Sequence, residues 1–357
     1  MKRAVVLVVF LALTVHISHA QAESATSDTE WKADTVNEAS GYRILQTILE
    51  LQAFETRDFH TEEAAASALL IQQWMEDIGL ETQLQEFEAD GLTVVNVIGT
   101  LNPQSVSSDL HLIGTHYDSR NRYVTSITEA ENESAPGADD NASGVAAMLE
   151  IAYVLAGCER FEAATRFVAF GAEERGFVNK SGLAGSSAFA QAEADGEIGY
   201  GATFVMDMIG FQAENENRMT IVTNNESANI AQSVTDAVVA YDIDLLVDIV
   251  SDESLRYSDH ASFWDHGYPS ILMIEELDPS TGAPVNPYYH TESDTADKLS
   301  SKQMEEIASA LIGAVLDLTG PGEDSYSFPY STVLAVAGVS GLALVVVAIA
   351  RRKRRVS

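Results

Sequence analysis

Hydrophobic positions along this 357-residue chain change their spacing several times, and each change predicts an element. Ile44, Leu45, Ile48, Leu49 and Leu51 recur at helical spacing, and residues 65–78 do the same; each set makes one apolar stripe. Runs rich in β-branched and aromatic residues predict strands at 93–98, 110–113, 166–170, 203–206, 219–223 and 271–274. Between and after them, helical patterns cover 143–155, 186–192, 228–239 and 302–318. Alternating strands and helices predict the α/β class, a three-layer α/β/α domain with a central mixed, largely parallel sheet. No internal repeat interrupts the pattern.

Both ends depart from it. Lys2 and Arg3, an apolar run over 4–15 and the small residues Ser18 and Ala20 form a signal-peptide pattern over residues 1–20, with an uncleaved anchor as the alternative. Residues 21–40, rich in Ser, Thr, Glu and Asp, read as a polar linker. The globular domain is expected over 41–320, followed by a tether over 321–330. Residues 331–350 are uncharged and mostly apolar, and twenty such residues would rise about 30 Å as a helix, a bilayer core's thickness. Five cations follow in the tail 351–357, from Arg351 to Arg355, which orients the tail to the cytoplasm. The expectation is an exported, cell-surface domain anchored in the membrane by a C-terminal helix. Whether that helix is permanent or trimmed during surface attachment stays open.

The net charge is −34. Two of the 20 basic residues lie in the first twenty positions and five in the last seven, and neither stretch holds an acid. The remainder therefore has 13 basic against 54 acidic residues. Such a domain repels phosphates, so nucleic acid is excluded as a partner. Self-repulsion of this size keeps a protein soluble and would be relieved by concentrated salt. With Cys158 as the lone cysteine, no internal disulfide is available.

Five short segments carry the chemistry: Gly-Thr-His116-Tyr-Asp118, Gly-Ala-Asp139-Asp140-Asn, Gly-Ala-Glu173-Glu174-Arg, Val-Met-Asp207-Met and Tyr-His290-Thr-Glu-Ser-Asp294. Three of them, holding His116, Glu173–Glu174 and Asp207, follow predicted strands, and sites in open α/β sheets lie at the strands' carboxyl ends. Two imidazoles and several carboxylates without a thiol suit one or two divalent ions, zinc foremost. A His-x-Asp or Glu-Glu pair alone is more often plain surface; five such segments converging are not.

In this order the segments resemble peptidase family M28, over roughly residues 41–318. The resemblance implies the zinc-peptidase variant of the three-layer fold, of the phosphorylase/hydrolase-like kind, and an aminopeptidase holding two Zn2+ per chain. Asp140 would bridge the ions, His116 and Asp207 completing one site and Glu174 and His290 the other. Glu173 would be the general base, Asp118 would orient His116, and Asp294 would do the same for His290. Ser258-Asp259-His260 matches a further segment of the family, which makes Ser258, with Tyr257, candidates for binding the reacting carbonyl. Leu255 stands where some relatives have the oxyanion-binding tyrosine. His260 and His266 read as structural. The expected partner is a peptide substrate; oligomeric state is left open. A single-zinc glutaminyl cyclase-like or carboxypeptidase-like activity, or an inactive anchored binding domain, remain as alternatives. The loops 120–135 and 275–289, the latter with Tyr288 and Tyr289, are expected as pocket walls.

Overall fold

The computed structural model describes residues 30–102, 110–178, 180, 182–278 and 280–319, and the backbone of Leu344–Val346. Helix α1 spans Gly41–Gln52 and α2 spans Glu62–Ile78. The Thr61 hydroxyl accepts the amide of Ala64, and Glu62 and Glu63 sit in the electropositive first turn of α2. Gly79 ends α2 with a left-handed φ of 99°. Strands β1 (Glu81–Ala89) and β2 (Leu92–Leu101) then form an antiparallel hairpin. Its tip, Asp90-Gly91, has φ of 50° and 80°, the geometry that joins right-twisted strands tightly.

The rest alternates as the periodicity predicts. It runs β3 (Leu110–His116), α3 (Ile127–Ala130), α4 (Gly144–Gly157), β4 (Ala164–Phe170), α5 (Ala184–Asp195) and β5 (Ala202–Met206). Then come β6 (Arg218–Thr223), α6 (Ala228–Ala240), β7 (Leu246–Ser251), α7 (His260–Asp265), β8 (Ser270–Ile274), α8 (Ser301–Leu318) and β9 (Leu344–Val346). The sheet order is β1-β2-β4-β3-β5-β8-β6-β7-β9. It is mixed: β4, β3, β5 and β8 form a parallel central block and β6 pairs parallel with β7. The other four pairings are antiparallel.

Alternation along each strand builds two cores. Ile113, Phe167, Phe204 and Met273 pack against one face with α1, α2, α4, α6 and α8. Their neighbours Leu112, Val168, Val205 and Leu272 pack on the opposite face with α5 and α7. Helix α4 is buried on nearly all sides, as a sequence apolar all round except for Glu150 requires. Each fully buried large side chain there is worth about 1.5–3 kcal/mol. Its acid, Glu150, is neutralised by Arg43 at 2.6 Å and accepts the Ser40 amide at 2.8 Å.

Two boundaries differ from the sequence reading. Residues 30–36, expected as linker, are helical, and Val36 and Ala39 are buried in the larger core; these few apolar residues among the acids suffice to dock the segment. The predicted signal peptide and tether lie outside the described residues, as does most of the predicted span. Within that span Leu344–Val346 forms a strand antiparallel to the β7 edge, a place where an apolar tripeptide with two valines satisfies open backbone groups. Among the described residues no helix is long and apolar enough to cross a membrane.

Candidate metal centre

The parallel block delivers its chemistry to one edge. His116 ends β3, Gly171 to Glu174 leave β4, Asp207 follows β5 and Glu275 follows β8. Asp140 arrives from the turn ahead of α4, and His290 from the long connection after β8. All five expected donor residues come together. His116 Nε2 lies 3.3 Å from Asp140 Oδ1 and 3.3 Å from Asp207 Oδ1. His290 Nε2 lies 3.0 Å from Asp140 Oδ2 and 2.7 Å from Glu174 Oε1. Two triads therefore share Asp140: His116–Asp140–Asp207 and Asp140–Glu174–His290, the donor atoms of each within 4.8 Å of one another.

The turn that presents Asp140 is heavily braced. Gly137 takes φ 52°, and a Cβ there would stand 2.3 Å from the Asp140 carbonyl oxygen, so only glycine fits. Asp294 Oδ1 accepts the amide of Asp139 at 2.9 Å and Oδ2 accepts that of Asp140 at 3.1 Å. The expectation that Asp294 orients His290 is thus corrected: its oxygens are used on the backbone of the turn, which the Ala138 amide also ties to the Asp294 carbonyl at 3.1 Å. Asp139 points away from the triads, accepting from the Gly210 amide at 2.8 Å and from Asn286 Nδ2 at 2.7 Å. Asn141 Nδ2 donates to Thr115 Oγ1 and to the Met206 carbonyl, and its Oδ1 accepts the Gly144 amide at 3.0 Å. That last bond does the work expected of a helix cap. Ser143 makes none, its hydroxyl donating to the Asp139 carbonyl at 2.7 Å instead.

Asp118 behaves as a bracket. One oxygen lies 3.5 Å from His116 Nδ1, while its Oδ1 and Oδ2 accept the amides of Glu173 and Glu174, both at 3.1 Å. A single buried carboxylate so ties the β3 exit to the β4 exit. Glu173 and Glu174 diverge from this shared anchor. Ser258 is buried with its hydroxyl unpartnered, while Tyr257 is partly exposed. A cavity of about 500 Å³ opens over the site, lined by Glu173, Glu174, His290, Tyr289 and Tyr257 among others. Of the two loops expected as walls, Arg120 and Tyr289 take part; the Tyr289 ring stacks on His290 at 3.7 Å. Tyr288 instead packs edge-on against Phe211. His260 and His266 are structural, bound to the Leu255 and Ser262 carbonyls at 2.8 Å.

Sequence reasoning missed Arg57. It is fully buried, donating through Nε to the Tyr117 carbonyl at 2.8 Å and through its Nη atoms to the carbonyls of Leu51, Pro136 and Gly137. Its amide donates to Ser119 Oγ at 2.9 Å. It thus clamps the loops that bear Asp118 and Asp140. It stands between Thr56 and Asp58 without any periodicity, so only its tertiary partners reveal it. The polar cluster around Asp139, Asn286 and Glu275 was equally invisible.

The electrostatics describe a cluster short of positive charge. Burial, with Asp140 beside it, pushes the Glu174 carboxyl up to about 7 against the pull of His290. Glu173 is held well above the ordinary carboxylate range by burial and by Glu174, Asp259 and Asp207, with His116 opposing. Burial disfavours the His290 cation, but Glu174 and Asp140 outweigh it and raise the ring to about 10. His116 is likewise raised well above its usual value, by Glu173 and Asp207 against the burial. No lysine or arginine pairs with Asp140, Glu174 or Asp207 among the described residues, and the two Asp140 oxygens face only imidazole nitrogens, Oδ1 at 3.3 Å from His116 Nε2 and Oδ2 at 3.0 Å from His290 Nε2. Buried carboxylates without cations are costly unless a metal supplies the charge. Two nitrogen–oxygen triads with no thiol fit divalent ions of zinc's type.

Comparison with known proteins agrees with this geometry. The model of peptidase family M28 matches residues 96–315. The Bacillus subtilis protein named aminopeptidase YwaD is 30% identical over 228 residues, covering 63% of this chain and 45% of the relative; the chain thus spans about half the length of that relative. The solved zinc aminopeptidase BSAP from Bacillus subtilis is 19% identical with a TM-score of 0.63, over 81% of this chain and 97% of that one. A Bacteroides thetaiotaomicron glutaminyl cyclase is 20% identical with a TM-score of 0.64, over 78% and 98%. These last two likenesses carry the fold alone.

Proposed function

Because the chain belongs to peptidase family M28, we propose that it is a dizinc aminopeptidase that removes N-terminal residues from peptides. The observation that carries this reading is the pair of triads sharing Asp140. His116 and Asp207 would hold one ion, Glu174 and His290 the other, with Asp140 common to both. When bound, such ions polarise the substrate carbonyl and acidify water.

The remaining steps belong to the chain's own side chains. Glu173 projects into the cavity beside both triads and its raised proton affinity suits a general base: a carboxylate oxygen takes a proton from the attacking water and returns it to the leaving amine. Asp118 fixes the Glu173 and Glu174 amides and faces His116 Nδ1, so base and donors keep their spacing. Tyr257, at the cavity wall, is a hydroxyl donor placed to serve the reacting carbonyl, and its neighbour Ser258 is buried.

A cyclase-like reading with one ion would leave the His116–Asp140–Asp207 triad without purpose. A catalytically dead binding domain would have no use for an intact Glu173. Export and attachment at the cell surface are proposed from the two ends of the sequence. Aminoacyl chromogenic substrates and N-blocked peptides, each with and without chelator, test the activity. Chelator-sensitive cleavage of free N-termini alone supports the reading; equal cleavage of blocked peptides refutes it.

A further inference from the structure

Basic residues are scarce in this domain, and most are paired with acids. Lys32 holds Asp317, Arg43 holds Glu150, Arg218 holds Asp248, and Lys302 holds Glu305 and Glu306. Arg166 holds Glu193. Yet three arginines, Arg120, Arg175 and Arg256, line the cavity over Glu173, Glu174 and His290. Arg256 is engaged by Asp265 and by the Ala261 carbonyl. Arg120 and Arg175 are different: among the described residues neither makes an ion pair or a side-chain hydrogen bond.

Both stand on the loops that build the site. Arg120 lies two residues beyond Asp118, and Arg175 directly follows Glu174. Glu173 and Glu174 share the cavity with them, but their oxygens are not bonded to either guanidinium. In a chain with 54 acidic residues, two unpaired guanidiniums facing one cavity are charges left available. A guanidinium offers a planar fork of donors that matches a carboxylate. The surrounding negative field would otherwise repel an anionic peptide, and a local cationic rim counters that repulsion at the mouth of the site.

Resting on the aminopeptidase reading, we infer that Arg120 and Arg175 bind a substrate carboxylate. The favoured substrates are peptides that carry one close to the scissile bond. An acidic side chain and the free C-terminus of a dipeptide present the same group. The bland alternative is that both arginines only offset the acid cluster, in which case charged and neutral substrates are treated alike.

The test compares Leu-Ala with Leu-Ala-amide, and Glu-Ala-amide with Gln-Ala-amide, in the wild type and in the Arg120→Gln/Arg175→Gln double variant. Either carboxylate is expected to raise kcat/KM roughly tenfold or more over its neutral partner, mainly through KM. The double variant should lose that advantage, its acid-to-neutral ratio of kcat/KM falling to about one. Which pair responds identifies the source of the carboxylate. Wild type that hydrolyses neutral substrates with no preference for either acid overturns this inference alone; failure on every free N-terminus speaks against the aminopeptidase reading. Calorimetric titration of the same four peptides into zinc-loaded Glu173→Gln protein gives a readout independent of turnover and of the arginine variants. Tighter binding of whichever acid the kinetics favour supports the inference, and equal affinities for both acid–neutral pairs overturn it.

Discussion

Asp294 and Asp140 are separated by 154 positions, yet Oδ2 of Asp294 accepts the Asp140 amide at 3.1 Å. The residue that joins the two triads is therefore set in place by its backbone as well as by its carboxylate. Asp294→Asn keeps the shape but exchanges one acceptor for a donor facing the amide of Asp139 or Asp140. The expected result is a fall of about 10–100-fold in zinc affinity, measured by competition with a calibrated chelator, with the fold retained. Unchanged affinity would remove Asp294 from the account.

Glu173 and Glu174 share the Asp118 anchor, and the proposed function gives them separate roles. Glu173→Gln should leave the zinc content as it is and lower kcat by about 10²–10⁴-fold. Glu174→Gln should lose zinc. The contrast is read from metal analysis and turnover on the same preparations; equal zinc loss in both variants would reject the division of labour.

Arg57 donates to four backbone carbonyls in a site without water's dielectric. Burial lowers its pKa to about 10, which leaves it charged at neutral pH. Arg57→Met strands those acceptors and removes a cation near Asp118, Asp140 and Asp294. Unfolding by denaturant should show a loss of about 3–5 kcal/mol. A loss under about 1 kcal/mol would mean that the clamp is dispensable.

Metal removal gives a pH signature. Groups whose folded pKa is raised bind protons more tightly in the native state, so stability is complete below their unfolded pKa and falls until the folded pKa is passed. Glu174 acts in this way up to about 7, Asp294 up to about 8 and His290 up to about 10. His260, lowered to about 4, works in the opposite sense, but only below its ordinary value of 6.5. Between pH 6.5 and about 9 the sign is therefore uniform, because Arg57, lowered to about 10, acts in the opposite sense only as that value is reached. The chelated protein should lose thermal stability steadily from pH 6.5 to about 9, and saturating zinc should flatten the curve. A chelated protein whose melting temperature rises over that range would contradict the charge assignment.

Much of this was legible in the residues. The apolar stripes of α1 and α2 and the β-branched runs of β3, β4 and β5 are strong periodic signals, and the five donors sit at the ends of such runs or in short acidic motifs. Strand β1 was not read, because Glu and Gln fill an edge strand that needs little apolar surface. The Asp90-Gly91 turn was its one local signal. Strand β7 is flanked by acids and half exposed, and was lost for the same reason. Asp294 is expected as a partner of His290 by likeness to the Asp118–His116 pair; its oxygens are claimed by a turn more than 150 residues distant, which only the assembled fold reveals. Arg57 and the Asp139–Asn286 bond belong to the same class of long-range polar contacts.

The central claim is that Asp140 is shared by two ions. Exhaustive dialysis against zinc buffered near its free cellular range, followed by metal and protein quantitation of wild type and Asp140→Asn, tests it most directly. Two zinc ions per wild-type chain, with both lost together in the variant, is the predicted result. One ion per wild-type chain, or a variant that keeps either site filled, would contradict it.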